Sequence, residues 1–295
     1  MEPTVTSAVK PAVSVVGVGA IGMPMARRLV HHGFDVTAVD PRAEARTAAE
    51  GWGMRTFPDV ASAPVGDAVL VLVASGDQLL DTAIAATTER RVERETWVVS
   101  STVGPAAVRE AAAVLERAGA GVIDAPVTGG VPGAESGSLR FLAAGNRLAI
   151  DSFLPLFAAL GTVSVVSEEV GDGQAVKLVN QLCSSVHLAA AAEALAFAVR
   201  LGLDPVATAT AIAGGSGSSW FLDERGPRMA DLGTAPPALT RLAILAKDNE
   251  LVVREAEARG AVVPLLKAAS GQYARAKELG LLDADDSQII RTYLD

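Results

Sequence analysis

The chain has 295 residues, half of them hydrophobic and 20% charged, with 25 Lys plus Arg against 34 Asp plus Glu. That length suggests about two domains, and the composition excludes a chain that is mainly disordered. The net charge of −9 argues against a nucleic-acid binder, which needs cations to meet phosphates, but leaves room for a local cationic site.

The apolar surplus is not read as a membrane signature. The densest apolar stretches are Ala68–Ala74, which is short, and Leu188–Val199, which Glu193 interrupts. Neither offers about 20 uninterrupted apolar residues. Residues 1–10 carry no basic region followed by an apolar run, so no secretory signal and no membrane partner are expected. The single cysteine, Cys183, cannot close an internal disulfide, so a reducing, cytoplasmic setting is the expectation. Its side chain reads as a small core residue.

In chain order, short β-like runs alternate with helical stretches. Val13–Val18 reads as a strand ending in glycines, Ile21–Val30 as a helix stopped by Gly33, Val36–Val39 as a strand ending at Asp40, and Ala43–Glu50 as a helix. Ala68–Ala74 and Val98–Ser101 read as strands, and Pro105–Ala118 as a helix with Pro in its first turn. Val122–Ala125, Leu139–Ala144 and Val163–Val166 follow as further strands. Alternation of this kind, with continuous apolar strands, implies an α/β domain whose parallel sheet is covered on both faces. Gln174–Arg200 then reads as one long helix, and the remainder as helices separated by Gly-rich loops, Gly214–Ser219 being the most conspicuous. The boundary between an α/β domain and an all-helical one is expected near Ser167–Gly173.

Gly17-Val18-Gly19-Ala20-Ile21-Gly22 fits G-x-G-x-x-G between a strand and a helix, the context that a dinucleotide-binding fingerprint requires. Gly17 would make the tight turn, Gly19 would let backbone approach a pyrophosphate, and Gly22 would let helix pack on strand. Ala20 and Ile21 lead into a helix N-terminus whose N–H groups and dipole suit phosphate. A plain βα turn is the bland alternative. Asp40 closes the next strand, where a carboxylate accepts from the ribose hydroxyls and repels a 2′-phosphate, so NAD is preferred over NADP; Arg42 nearby could instead hold a 2′-phosphate. Thr102 follows another strand at the carboxyl edge, with a helix N-cap as its plainer role.

Asp124–Ala134 contains Thr128-Gly129-Gly130, whose successive N–H groups and hydroxyl suit a carboxylate, against a long turn as the alternative. Gly171–Gln181 opens the long helix with Lys177, Asn180 and Gln181 at i, i+3 and i+4, so the three share one face, which could also be a solvated polar face. No His/Cys/Asp/Glu spacing points to a metal.

With these four segments in order (Gly17–Gly22, Asp124–Ala134, Gly171–Gln181 and Lys247-Asp248), the chain resembles the β-hydroxyacid dehydrogenase family along nearly its whole length. Within the family it is most similar to the L-threonate dehydrogenase branch, on Val186-His187-Leu188-Ala189, Ser218-Ser219-Trp220 and Asp285-Asp286-Ser287. The resemblance implies an NAD(P)-binding Rossmann domain over residues 1–170 and an all-helical substrate and dimerisation domain over 171–295. A long interdomain helix would join them, and the assembly would be a homodimer or homotetramer. It implies NAD(P)-dependent oxidation of a short hydroxycarboxylic acid, with Lys177 as general acid/base. Thr128, Gly129 and Gly130 would hold the substrate carboxylate, Asn180 and Gln181 would contact substrate, and Thr102 and Lys247 would contact cofactor. Two positions depart from the family pattern: Thr128 stands where Ser is usual, and Gln181 where Asn is usual.

For that chemistry Lys177 must lose a proton that a free lysine holds up to about pH 10.4, and burial in an apolar groove would ease the loss. His187 reads as a packing or hydrogen-bonding residue, Trp220 as either a lid or a loop anchor, Lys247 alternatively as a local ion pair with Asp248, and Asp223, Glu224 and Arg225 as a solvated helix face. Two rival readings stay open: an imine reductase of the same architecture, which usually lacks the lysine, and a non-catalytic dinucleotide-binding protein.

Overall fold

A computed structural model describes residues 11–233 and 235–294; the N-terminal stretch considered above for a signal lies outside them. The chain divides into two compact units, one ending at Lys177 and the other beginning at Leu178.

The first unit runs β1 (Ala12–Val16), α1 (Gly22–His31), β2 (Asp35–Val39), α2 (Ala43–Glu50), β3 (Arg55–Phe57), β4 (Ala68–Val71), α3 (Gly76–Glu89), β5 (Thr96–Val99), α4 (Pro105–Arg117) and β6 (Gly121–Asp124). It continues through β7 (Val127–Thr128), α5 (Gly130–Ser136), β8 (Leu139–Gly145), α6 (Arg147–Ser152), α7 (Leu154–Leu160) and β9 (Gly161–Ser167) into α8 (Asp172–Arg200). The sheet order is β3-β2-β1-β4-β5-β6-β8-β7, with β9 also on β8. From β3 to β6 every pairing is parallel. The sheet is parallel-rich, as expected for such a domain, and its antiparallel part lies beyond β6, where β8 runs antiparallel to β6 and β7 and parallel only to β9. A parallel return usually needs a full crossover helix; here the chain comes back through two-residue β7 and seven-residue α5 and so arrives reversed.

Strand alternation builds two cores. Val13, Val15, Val36 and Leu70 face one side with Met25 and Leu29 of α1, while Val69, Val71, Trp97 and Val99 face the other with Leu79 of α3 and Leu115 of α4. The strand-and-helix reading lacks β7, α5, α6 and α7, and also β3, only three residues long, and α3. The latter has a legible start: Ser75 caps it by accepting from the Gln78 N–H, and Gln78 Oε1 accepts from the Ala74 N–H, close to a reciprocal capping box.

The second unit holds the rest of α8, then α9 (Pro205–Ile212), α10 (Trp220–Ala230), α11 (Leu242–Ala258), α12 (Pro264–Glu278), a 3₁₀ turn (Asp286–Ile290) and α13 (Arg291–Leu294). Its core joins Leu188 and Leu195 of α8 to Phe221, Met229, Tyr273 and Ile289. Among the described residues α8 is the one helix long and apolar enough to cross a membrane by length and composition; here Leu188, Ala192 and Leu195 are fully buried in protein, and Glu193 is exposed. Two side chains depart from expectation. Cys183 is exposed rather than in the core, because position 183 falls on the open side of α8. Arg225 is buried rather than part of a solvated face, because it pairs with Asp286 at 2.9 Å; Asp223 and Glu224 are exposed as expected.

Candidate active site

The glycine loop leaves β1 at Val16. Gly17 takes φ +91°, and a Cβ there would collide with the Leu72 carbonyl, while a Cβ on Gly22 would collide with the Gly17 carbonyl. Both glycines are therefore demanded by the protein itself. Gly19 is different: a Cβ there would meet only the Arg42 guanidinium, at 3.7 Å. Its openness is a cradle kept for something other than protein. Beyond it, exposed Ala20 and half-buried Ile21 lead into α1, whose N-terminus has no side-chain cap and no acidic residue in its first turn. The positive end of that helix is left for an anion. These features fit a dinucleotide pyrophosphate.

Asp40 lies just past β2, buried, and is gripped by Arg42. Arg42 Nε donates to Oδ1 at 3.0 Å, Nη2 to Oδ2 at 2.9 Å, and the Arg42 backbone N–H to Oδ1 at 3.0 Å. Burial pushes the Asp40 carboxyl up, but the Arg42 bonds and charge, with a backbone N–H from Val18 in the glycine loop, outweigh it and hold the group below the ordinary carboxylate value. The carboxylate is thus fixed and ionised beside the loop.

At the carboxyl ends of the next strands the same unit gathers the remaining residues. Thr102 is half-buried past the end of β5; it is not the N-cap of α4, a position that Gly104 takes. Asp124, the last residue of β6, is fully buried. Its Oδ2 accepts from the Gly171 and Gln174 backbone N–H groups at 3.0 and 2.9 Å, and its Oδ1 from Gln174 Nε2 at 3.0 Å. Burial pushes this carboxyl up, and the Gln174, Gly171 and Gly173 donors pull it partly back. Thr128 ends β7, Gly129 caps α5 and Gly130 begins it, so the Gly-rich segment is a strand end and a helix start rather than a long turn. Lys177 sits in the second turn of α8 and is only 6% exposed, which answers the alternative of a solvated face.

Further along α8, in the second unit, the amides form a chain. Asn180 Nδ2 donates to Gln181 Oε1 at 2.9 Å, and Gln181 Nε2 donates to Asp248 Oδ2 at 2.5 Å. The other oxygen of Asp248 pairs with Lys247 Nζ at 2.9 Å. Asp248, read from sequence only as a partner for Lys247, in fact ties Lys247 to Gln181. Gln174 and Asp124 were likewise quoted inside motifs without a role; the signal available was an amide three residues before the lysine and a carboxylate at a strand end. His187 is exposed. Trp220 is the first residue of α10, 54% exposed, edge-on to Phe221 and under the Arg225 guanidinium at 5.2 Å.

A Gly-rich turn on a parallel sheet, an ionised aspartate at the second strand end and a buried lysine in the same unit define an NAD(P)-dependent oxidoreductase. Residues 12–171 match the family model described as the NAD-binding domain of 6-phosphogluconate dehydrogenase, and residues 171–293 the one described as NAD-binding of NADP-dependent 3-hydroxyisobutyrate dehydrogenase. The chain is 32% identical to an L-threonate dehydrogenase of Cupriavidus necator, over 95% of each chain. It is 30% identical to a 2-hydroxy-3-oxopropionate reductase of Escherichia coli, over 84% of this chain and 85% of that one. A crystal structure of a 3-hydroxyisobutyrate dehydrogenase from Salmonella typhimurium superposes with TM-score 0.84 at 28% identity, covering 96% of this chain and 99% of the other. The chain belongs to the β-hydroxyacid dehydrogenase family.

Proposed function

We propose that the protein oxidises a short hydroxycarboxylic acid, L-threonate or a similar four-carbon sugar acid, with NAD as acceptor and Lys177 as the general base. The observation that carries this is the burial of Lys177, 6% exposed, in the unit that holds the glycine loop. A side chain so enclosed can exchange its proton with a bound hydroxyl rather than with bulk water. The L-threonate preference is supported by the similarity to the Cupriavidus necator enzyme. The NAD preference is supported by Asp40, whose fixed negative charge repels a 2′-phosphate. Arg42 supports it too, because its guanidinium is spent on Asp40.

When bound, the dinucleotide supplies the acceptor for the hydride that leaves the carbinol carbon. As carbonyl character develops there, the hydroxyl O–H bond breaks and its proton goes to Lys177 Nζ. In the reductive direction the same ammonium returns the proton to the forming alkoxide. Thr128 Oγ1 and the Gly129 and Gly130 N–H groups hold the substrate carboxylate, and Asn180 and Gln181 contact the remaining hydroxyls. Gly17, Gly19, Ala20, Ile21 and Gly22 cradle the pyrophosphate, and Thr102 and Lys247 are the further residues that the family resemblance assigns to cofactor. A homodimer or homotetramer is supported by exposed apolar residues on α8, Val179 at 66% and Phe197 at 62%. The single cysteine suits a reducing, cytoplasmic setting.

The test is a spectrophotometric screen of NAD and NADP against L-threonate, glycerate, tartronate semialdehyde and 3-hydroxyisobutyrate, repeated with Lys177→Ala. Turnover of L-threonate with NAD is expected, and the variant should lose about 10²- to 10⁴-fold in kcat while keeping NADH affinity. Retention of activity within about tenfold would remove Lys177 from the acid–base role.

A further inference from the structure

Five hydrogen bonds converge on one fully buried residue, Gln174. Its Nε2 donates to the Ser101 carbonyl at 2.9 Å and to Asp124 Oδ1 at 3.0 Å. Its Oε1 accepts from the Val103 and Gly104 N–H groups at 3.0 and 3.1 Å. Its own backbone N–H donates to Asp124 Oδ2 at 2.9 Å. Both donors and both lone pairs of the amide are filled, which is the full capacity of the group. Turning the amide over would set N–H against N–H and oxygen against oxygen, so it has one orientation.

The bonds reach three strand and helix ends. Ser101–Gly104 is the loop past β5 that carries Thr102. Asp124 ends β6, four residues before Thr128. Gln174 itself lies in the first turn of α8, one turn before Lys177. We propose that Gln174, oriented by Asp124, is a positioning residue that locks the Thr102 loop against the start of α8 and so fixes Lys177 relative to the cofactor-side edge. This rests on the reading of Lys177 as the proton acceptor. It adds a role for two residues to which the proposed function assigns no contact with substrate or cofactor. Hydride and proton transfer are sensitive to such placement, since a displacement of about 1 Å can cost on the order of a hundredfold.

The test compares Gln174→Ala, Gln174→Glu and Asp124→Asn, the double variant Asp124→Asn/Gln174→Glu, Lys177→Ala and the parent, each checked for folded content by near-ultraviolet circular dichroism. Three quantities are read: amide hydrogen exchange at Val103 and Gly104, NADH affinity by fluorescence, and single-turnover oxidation of the panel acid that the parent oxidises fastest. Gln174→Ala should speed exchange at both amides and slow the single turnover by about a hundredfold, with NADH affinity little changed. Gln174→Glu sets two carboxylates against each other and should be slow as well. The double variant exchanges amide and carboxylate between the two positions. It keeps acceptors for Val103, Gly104 and the α8 backbone and forfeits only the bond to the Ser101 carbonyl. It should recover about tenfold or more over Gln174→Glu alone.

Parental turnover in folded Gln174→Ala overturns the inference, and so does a loss of rate matched throughout by a loss of folded protein. Should Gln174→Ala not fold, the recovery or non-recovery of the double variant decides. Activity surviving in Lys177→Ala sinks the acid–base reading instead, and the exchange rates then judge the lock by themselves.

Discussion

Two buried carboxylate sites, one from each unit, are satisfied in opposite ways. In the first, Asp124 is held by uncharged donors alone, two backbone N–H groups and an amide, at the N-terminus of α8. In the second, Asp286 pairs with Arg225 at 2.9 Å and Asp285 with Arg228 at 2.8 Å, the two aspartates being 1% and 0% exposed. Neutral donors have fixed directions, and the helix dipole adds support for the charge, so the first arrangement specifies geometry. Guanidinium pairs neutralise charge whose desolvation would otherwise be costly, so the second arrangement is a cross-link from α10 to the C-terminal 3₁₀ turn. The Asp124 carboxylate is thus oriented by directional neutral donors, whereas Asp286 is countered by a cation.

The sharpest way to break this contrast is to remove a cation. Arg225→Met leaves Asp286 buried without its partner and should cost about 3–5 kcal/mol in urea unfolding; a cost below about 1 kcal/mol would mean the pair is no cross-link. Next in size is the glycine loop. Gly22→Ala collides with the Gly17 carbonyl and should lower thermal stability, whereas Gly19→Ala has room within the protein. Gly19→Ala should keep the parental melting temperature and lose more than about tenfold in NADH affinity, roughly 1.4 kcal/mol. Parental affinity in a fluorescence titration would show that the cradle serves something else.

The smallest effect is a slope with pH. Burial pushes Asp286 up from 3.8 to about 6 even though Arg225 pulls it down. A carboxyl raised in the folded state contributes its stability in full below 3.8 and loses it as pH rises through about 6. Urea midpoints of the parent should therefore carry a falling component across that window that Asp286→Asn lacks. Parallel curves for the two proteins would place the titration elsewhere.

Much of the first unit was legible in the chain. Ala43–Glu50 was bounded as the structure has it, and β1, β2, β5, β6 and β9 came within a few residues, because apolar runs ending in Gly or Asp are local signals. Leu139–Ala144 was legible as a strand but not in its direction, which depends on a short return through β7 and α5. The buried Arg225 was invisible because a charged residue announces a solvent face until its partner, 61 residues away, is known. Cys183 failed similarly: an apolar helix as long as α8 does not say which side it leaves open.

The order of the glycines and Asp40 along the chain determined a dinucleotide-binding fold, since those features act through their own backbone, helix or strand end. Only the folded chain decided that Gln174 meets Asp124 across 50 residues and that Gln181 meets Asp248 across 67. Hydrogen bonds of that span depend on where strand ends and helix starts are brought together, and sequence spacing carries no record of that distance.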